Sequence, residues 1–290
     1  MPKSDIDAAL LKRYFETNFD RAFTFSDLES IFNEHTHLWN LPRSMTAQIF
    51  VKMLLSKTKL RELRLRSSDY PTLLRYTWGT HASPVSVALS VKNGAFFSHA
   101  SAMWIHGLNP NHKNIFVNKE QSEKRRNSGQ LSQEAIHRAF RNQQRRSRLA
   151  YKYRDSTITV LSGKHTGRLE VEVAKAPSGH NLYVTSLERT LVDITVRPGY
   201  AGGVPAVLEA FRLARNRASV KKLMELLTKL DYIYPYHQSI GFYLSRAGYS
   251  EEDQLIARGS GLELDFYLCH GLDDPTFDQN WRIFFPPTLR

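Results

Sequence analysis

The sequence predicts an α+β fold in two parts: a small helical unit over residues 1–80 that ends in a β-hairpin, and a larger mixed α+β unit over residues 81–290. Three observations lead there. Apolar residues in the first sixty positions recur at helical spacing and then switch to strand-like alternation. Beyond residue 81, short apolar runs are interleaved with capped amphipathic stretches. The 290 residues are 41% hydrophobic, enough for real cores, and neither repeats nor long linkers interrupt them.

Ile6, Ala9, Leu10, Arg13 and Tyr14 place a first helix over residues 4–17. Ser26 and Glu29 form a capping-box pattern that opens a second helix running to about Asn33. A loop through His35, His37 and Leu41-Pro42 comes next, and a third helix begins near Ser44, with Ala47, Ile49, Phe50, Met53 and Leu54 facing inward. Ser44, Gln48, Lys52 and Ser56 are spaced by four and share its outer face, with Arg43 and Thr46 flanking its start. Leu63 and Leu65 alternate with Arg64 and Arg66 in a strand, Ser67–Pro71 is turn chemistry, and Thr72–Trp78 returns. Three helices and a basic hairpin in this order define a winged helix-turn-helix. Short polar and basic side chains at the start of the third helix suit base edges and phosphates, and Arg61, Arg64 and Arg66 on the hairpin suit backbone phosphates. The expected partner is double-stranded DNA; a protein-binding winged helix is the competing reading.

In the second part, Ser83–Val91 reads as β-rich. Ser98 caps a short buried helix that Gly107 stops, with Pro110 just beyond, and Ile115–Val117 is a strand. Lys119–Gly129 reads as an exposed loop. Leu131, Ala135, Ile136, Ala139 and Phe140 mark a helix extending to 148, on which Arg138, Arg141, Arg145 and Arg148 make one basic edge. That edge suits a phosphate backbone, an acidic partner or the chain's own acidic end. Strands come next at Thr157–Val160 and Leu169–Val173, then a Thr185–Glu188 capping box opening a helix with Leu187, Leu191, Val192 and Ile194 inward. Arg197–Gly199 ends it. Further helices run from Pro205 to about Arg217, from Ser219 to Leu230 and over 239–245, and the apolar segment Trp281–Pro287 packs down.

Charge and thiol content narrow the function. Of the net charge of +12, residues 119–154 carry 11 Lys/Arg against 3 Asp/Glu, whereas residues 231–290 carry 4 against 9. A local basic field of this kind suits a polyanion. Cys269 is the one cysteine, which excludes an intramolecular disulfide and a multi-thiolate metal site and fits a reducing, cytoplasmic setting. No apolar run reaches the roughly 20 residues that span a bilayer, so no membrane partner is expected, and the opening Met1–Asp5 is unlike a signal-peptide core.

With these segments in place, the chain resembles the AbiEi-type antitoxins of type IV toxin–antitoxin systems, known from phage abortive infection. The resemblance is carried by the winged-helix start, by Ser98-His99-Ala100-Ser101-Ala102 running to His106-Gly107-Leu108, and by Tyr183-Val184-Thr185-Ser186-Leu187-Glu188-Arg189-Thr190-Leu191-Val192-Asp193. It implies a transcriptional autorepressor that binds inverted repeats in its own promoter. It also implies neutralisation of a nucleotidyltransferase toxin without a stable protein–protein complex. The part from Tyr232 onward fits that pattern less closely than the rest.

Enzyme readings rest on less. HExxH, P-loop, GxSxG and GxGxxG patterns are absent, so no catalytic residue and no cofactor are expected. His99 and His106 lack a third metal ligand, and His35-Thr36-His37 sits in a loop. Gly259-Ser260 with Glu263 and Asp265 echoes a nucleotidyltransferase motif, but the gap is too short for the usual helix. Glu170, Glu172 and Lys175 echo a Mg-dependent nuclease strand in the wrong order. A nuclease or nucleotidyltransferase-related enzyme, and a protein-binding adaptor using the basic helix, remain the alternatives.

Overall fold

Helix α1 (Ala8–Thr17) starts where the Asp7 carboxylate accepts the Leu10 N–H, and it buries Leu11 and Phe15. The computed structural model describes residues 6–80, 82–109, 113–123, 131–176 and 179–289. Met1–Asp5, Pro110 and residues 124–129 of the expected loop lie outside these. After β1 (Ala22–Phe23), helix α2 (Phe25–His35) opens on a capping box slightly ahead of the expected one. Thr24, not Ser26, is the cap, and the Asp27 carboxylate reaches back to the Thr24 N–H at 2.7 Å. Helix α3 (Ala47–Lys57) comes next, then the hairpin β2 (Leu60–Leu65) and β3 (Leu73–Trp78). Strand β1 pairs antiparallel with β3, giving the sheet order β1-β3-β2. The N-terminal part is therefore a winged helix.

Both faces of this small sheet are covered. Leu60, Tyr76 and Trp78 pack with Phe15, Phe23 and Phe50 in the first core. Leu65, with the half-buried Leu63 and Leu73, packs instead with Val87, Tyr151 and Val160 of the larger part. Polar contacts reinforce the joint. Arg75 donates to the carbonyls of Ser90 (2.7 Å) and Val91 (3.2 Å), Lys152 N–H donates to Arg66 O (2.9 Å), and Asp20 accepts the Ser83 N–H at 2.6 Å.

The segment expected to be β-rich, Ser83–Val91, is helix α4 (Pro84–Ser90). Ser83 caps it and Pro84 fits its first turn, while Val87 and Ala88 are buried; capping and packing override the β preference of its valines. The main sheet holds β4 (Phe96–Phe97), β5 (Asn114–Glu120), β6 (Ala150–Tyr153), β7 (Ser156–Gly163), β8 (Val171–Lys175) and β9 (Asn181–Thr185), in the order β6-β7-β5-β4-β9-β8. It is mixed: β5–β7 and β4–β9 are parallel pairs. Helices α5 (His99–Ile105) and α6 (Gln133–Phe140) connect its strands.

A helical layer comes after the sheet: α7 (Leu187–Val196), α8 (Val204–Ala214), α9 (Val220–Leu230), α10 (Tyr236–Arg246) and α11 (Glu251–Arg258). A small sheet closes the chain, with β10 (Phe266–Tyr267), β11 (Thr276–Asp278) and β12 (Ile283–Phe285) in the order β10-β12-β11. As expected, the terminal segment packs down, burying Trp281, Ile283 and Phe285. Gly241 is required there, because a Cβ on it would lie 2.0 Å from the Trp281 ring. The cap of α7 also shifts. Ser186, not Thr185, accepts from Arg189 N–H, while Glu188 accepts the Ser219 N–H at 3.0 Å and so ties α7 to the start of α9.

Candidate nucleic-acid interface

The start of α3 is set by its cap. Thr46 is extended and its hydroxyl accepts from the Ile49 N–H, so α3 begins at Ala47 and buries Ala47, Phe50, Val51 and Leu54. Two expectations change. Ile49 falls off that face and is 50% exposed rather than inward. Ser44 and Arg43 lie in a turn before the helix, where a spacing of four carries no helical meaning, so the outer stripe contracts to Gln48, Lys52 and Ser56. All five of these polar residues are exposed. The Thr46 oxygen serves the cap.

The cations around α3 differ in what already holds them. Among the described residues, Arg43, Lys52, Lys57 and Arg66 make no ion pair, whereas Lys59 pairs with Glu16 at 3.4 Å and Arg64 with Glu62 at 3.4 Å. Arg61 donates to the carbonyls of Thr58 (3.2 Å) and Leu60 (3.0 Å). The Arg64 pair is 72% exposed on the arginine side, a geometry that holds the side chain weakly. Of the wing residues, Arg66 is the best placed for an outside anion. Its backbone bridge to Lys152 continues the basic edge onto β6, where Lys152 and the adjoining Arg154 are exposed. Sequence reasoning did not place these two cations next to the wing. The signal was the alternation Lys152-Tyr153-Arg154, whose tyrosine turns inward and donates to Ala82 O.

The second basic patch is not a helix edge. Helix α6 stops at Phe140, so Arg138 lies on it, Arg141 caps it, and Arg145 and Arg148 sit on the irregular segment that leads to β6. The cause is capture of the last carbonyls by another part of the chain. Gly271 N–H donates to Phe140 O at 2.8 Å, and the His270 ring bonds Ala139 O at 3.1 Å. Arg138, Arg141 and Arg145 are exposed.

The carboxylates behind the enzyme readings are engaged or scattered. Glu170 pairs with Lys222 at 2.8 Å and Asp265 with Arg282 at 2.7 Å, while Glu172 is exposed on β8. His99 and His106 diverge: one ring meets Ser98 Oγ at 2.9 Å, the other Thr185 O at 2.7 Å. Asp20, His180 and Ser86 form a compact trio, with Ser86 Oγ 2.8 Å from His180 Nε2. Ser86 is 5% exposed and also bonds Asp20, so the trio reads as a joint between the two parts. Among the described residues, no helix is long and apolar enough to cross a membrane.

A winged helix joined to a mixed α+β lobe is thus the class of fold. No family model matches the chain, and no curated protein matches it in sequence. Among solved structures, it is similar to the RV2827C protein from Mycobacterium tuberculosis, with a TM-score of 0.53 and 13% identity. The match covers 96% of this chain and 90% of that one, so the likeness in fold runs over nearly the whole of both chains.

Proposed function

We propose that the protein is a sequence-specific DNA-binding autorepressor and the antitoxin of a type IV toxin–antitoxin system. On this reading it acts in the cytoplasm, without catalysis of its own or a cofactor. It offsets a nucleotidyltransferase toxin encoded nearby, with no stable complex between the two. The observation that carries the DNA-binding half is the outward face of α3, where Gln48 and Lys52 stand exposed, with Arg43 exposed just before the helix and Arg66 exposed on the wing. Three of these are cations without an ion pair among the described residues, and cations of that kind are free to replace the counterions of a duplex. Gln48 has the amide chemistry that reads adenine in the major groove. The antitoxin half rests on the resemblance of the α5 and α7 phrases to the AbiEi-type family.

The test is a mobility-shift titration of the protein's own promoter DNA at several salt concentrations. Lys52→Glu combined with Arg66→Glu should weaken binding by at least about tenfold and reduce the salt slope, with the melting temperature unchanged. Wild-type affinity in that variant would refute the proposed interface.

A further inference from the structure

The larger part holds a cavity of about 280 Å³ at the C-terminal end of α7, well away from α3. Its wall includes Asp193 and Arg197 from the end of α7, His99 from α5, and the tyrosines 232, 234 and 236 that lead into α10. Three features of this wall are unaccounted for by folding. Asp193 is 4% exposed; its Oδ1 accepts from Arg189 Nε at 2.9 Å, but its Oδ2 has no hydrogen-bond partner among the described residues. Such an orphaned buried carboxylate oxygen costs free energy unless a donor meets it. Arg197, half-buried, makes no ion pair among the described residues, and its charge is felt by His99, Tyr232 and His270 around it. His99 adopts a left-handed backbone, φ 53°, while buried, and strain of this kind collects at ligand sites.

The chemistry of the wall selects a ligand. The other charges are matched internally: Arg189 by Asp193, and Lys164 by Asp231 and the carbonyls that close α9. Arg197 therefore leaves one positive charge for an anion. A second, smaller pocket shares Gln144 and His270 with the cavity, and its own lining includes Arg145 and Arg146. The tyrosines stand nearly perpendicular to one another, 78° for Tyr232 with Tyr236 and 89° for Tyr234 with Tyr236, and give this wall an aromatic lining suited to a flat ring. The open Asp193 oxygen calls for an N–H or O–H on that ring. The volume lies just below the roughly 300–1,000 Å³ of pockets for drug-sized ligands, so the ligand is small.

We propose that this cavity binds a nucleoside monophosphate, its base among the tyrosine rings with an N–H toward Asp193, and its phosphate on Arg197. Aromatic side chains stack on any base, and arginine pairs with phosphate through parallel N–H donors. Neither the DNA-binding reading nor the antitoxin reading calls for such a site.

Isothermal titration of the full chain tests it, with AMP, GMP, CMP and UMP, the four nucleosides, inorganic phosphate and 4-hydroxybenzoate as probes. At least one monophosphate should bind at about 100 μM or tighter, and about tenfold more tightly than its nucleoside. Arg197→Met should remove that advantage and leave the nucleoside affinity in place. Tyr234→Leu should weaken monophosphate and nucleoside together, and it carries the test should the first variant not fold. The proposal is overturned if no monophosphate binds at about 100 μM or tighter. Equal binding of phosphate or 4-hydroxybenzoate overturns it as well, as does affinity unchanged in both variants.

Discussion

In α3 the polar residues Gln48, Lys52 and Ser56 face outward, and Lys52 has no ion pair among the described residues. In α7 the polar residues Glu188, Arg189 and Asp193 face inward, at 8%, 2% and 4% exposure, and each is tied to a partner. Both helices open on a hydroxyl cap and bury an apolar stripe. The difference lies in what surrounds them. Helix α3 has protein on one side, whereas α7 is covered by α5, α8, α9 and α10. A charge in the first setting is available to an outside anion and contributes little to folding. In the second setting it must be matched or it destabilises the fold.

The largest expected effect breaks the inward network. Asp193→Ala leaves the Arg189 guanidinium, 3% exposed, without its carboxylate, and should cost about 3–5 kcal/mol of stability in urea unfolding. A loss below about 1 kcal/mol would mean that Leu169 O and neighbouring groups satisfy Arg189 by themselves.

A somewhat smaller effect concerns acid. Burial pushes the His99 imidazole down from 6.5 to about 4, against the favourable pull of Asp193. The unfolded chain therefore binds this proton more readily than the folded one between those two values. Stability is fully present above pH 6.5 and falls as pH drops toward 4, by up to about 3 kcal/mol. His180, His237 and His270 are also lowered by burial and act in the same direction. Unfolding midpoints at a series of pH values should flatten in His99→Asn, a residue that tolerates a left-handed backbone. An unaltered slope would take His99 out of the account.

The smallest effect probes the outward-facing part. Thr24→Ala removes one side of the α2 capping box and should cost about 1 kcal/mol, read as a lower melting temperature. If the DNA affinity of that variant falls along with its stability, the two helices of the head act as one unit.

Much of the fold could be read from residue order because local signals decided it. The cap at Ser219, the stop at Gly107 and the alternation in β2 each act within a few residues. What escaped was set by distant partners. Helix α4 hides behind valines that favour strands until the core that receives Val87 is known. The end of α6 depends on Gly271 and His270, more than a hundred residues away. The same holds for the sites. Lys52 and Arg66 were legible as surface cations, but the open oxygen of Asp193 becomes visible only when α7 is seen inside its layer. Ser44 shows the opposite hazard, a spacing that matched a helix which starts three residues later.

Because the wing's sheet is greasy on two sides, the first eighty residues are no detachable cassette. Severed from the larger lobe, the head would bare Leu63, Leu65 and Leu73 to water, an adhesive panel that invites clumping. A graft that exchanges only the surface of α3 would therefore leave the protein soluble, whereas chimaeras cut after the hairpin would precipitate.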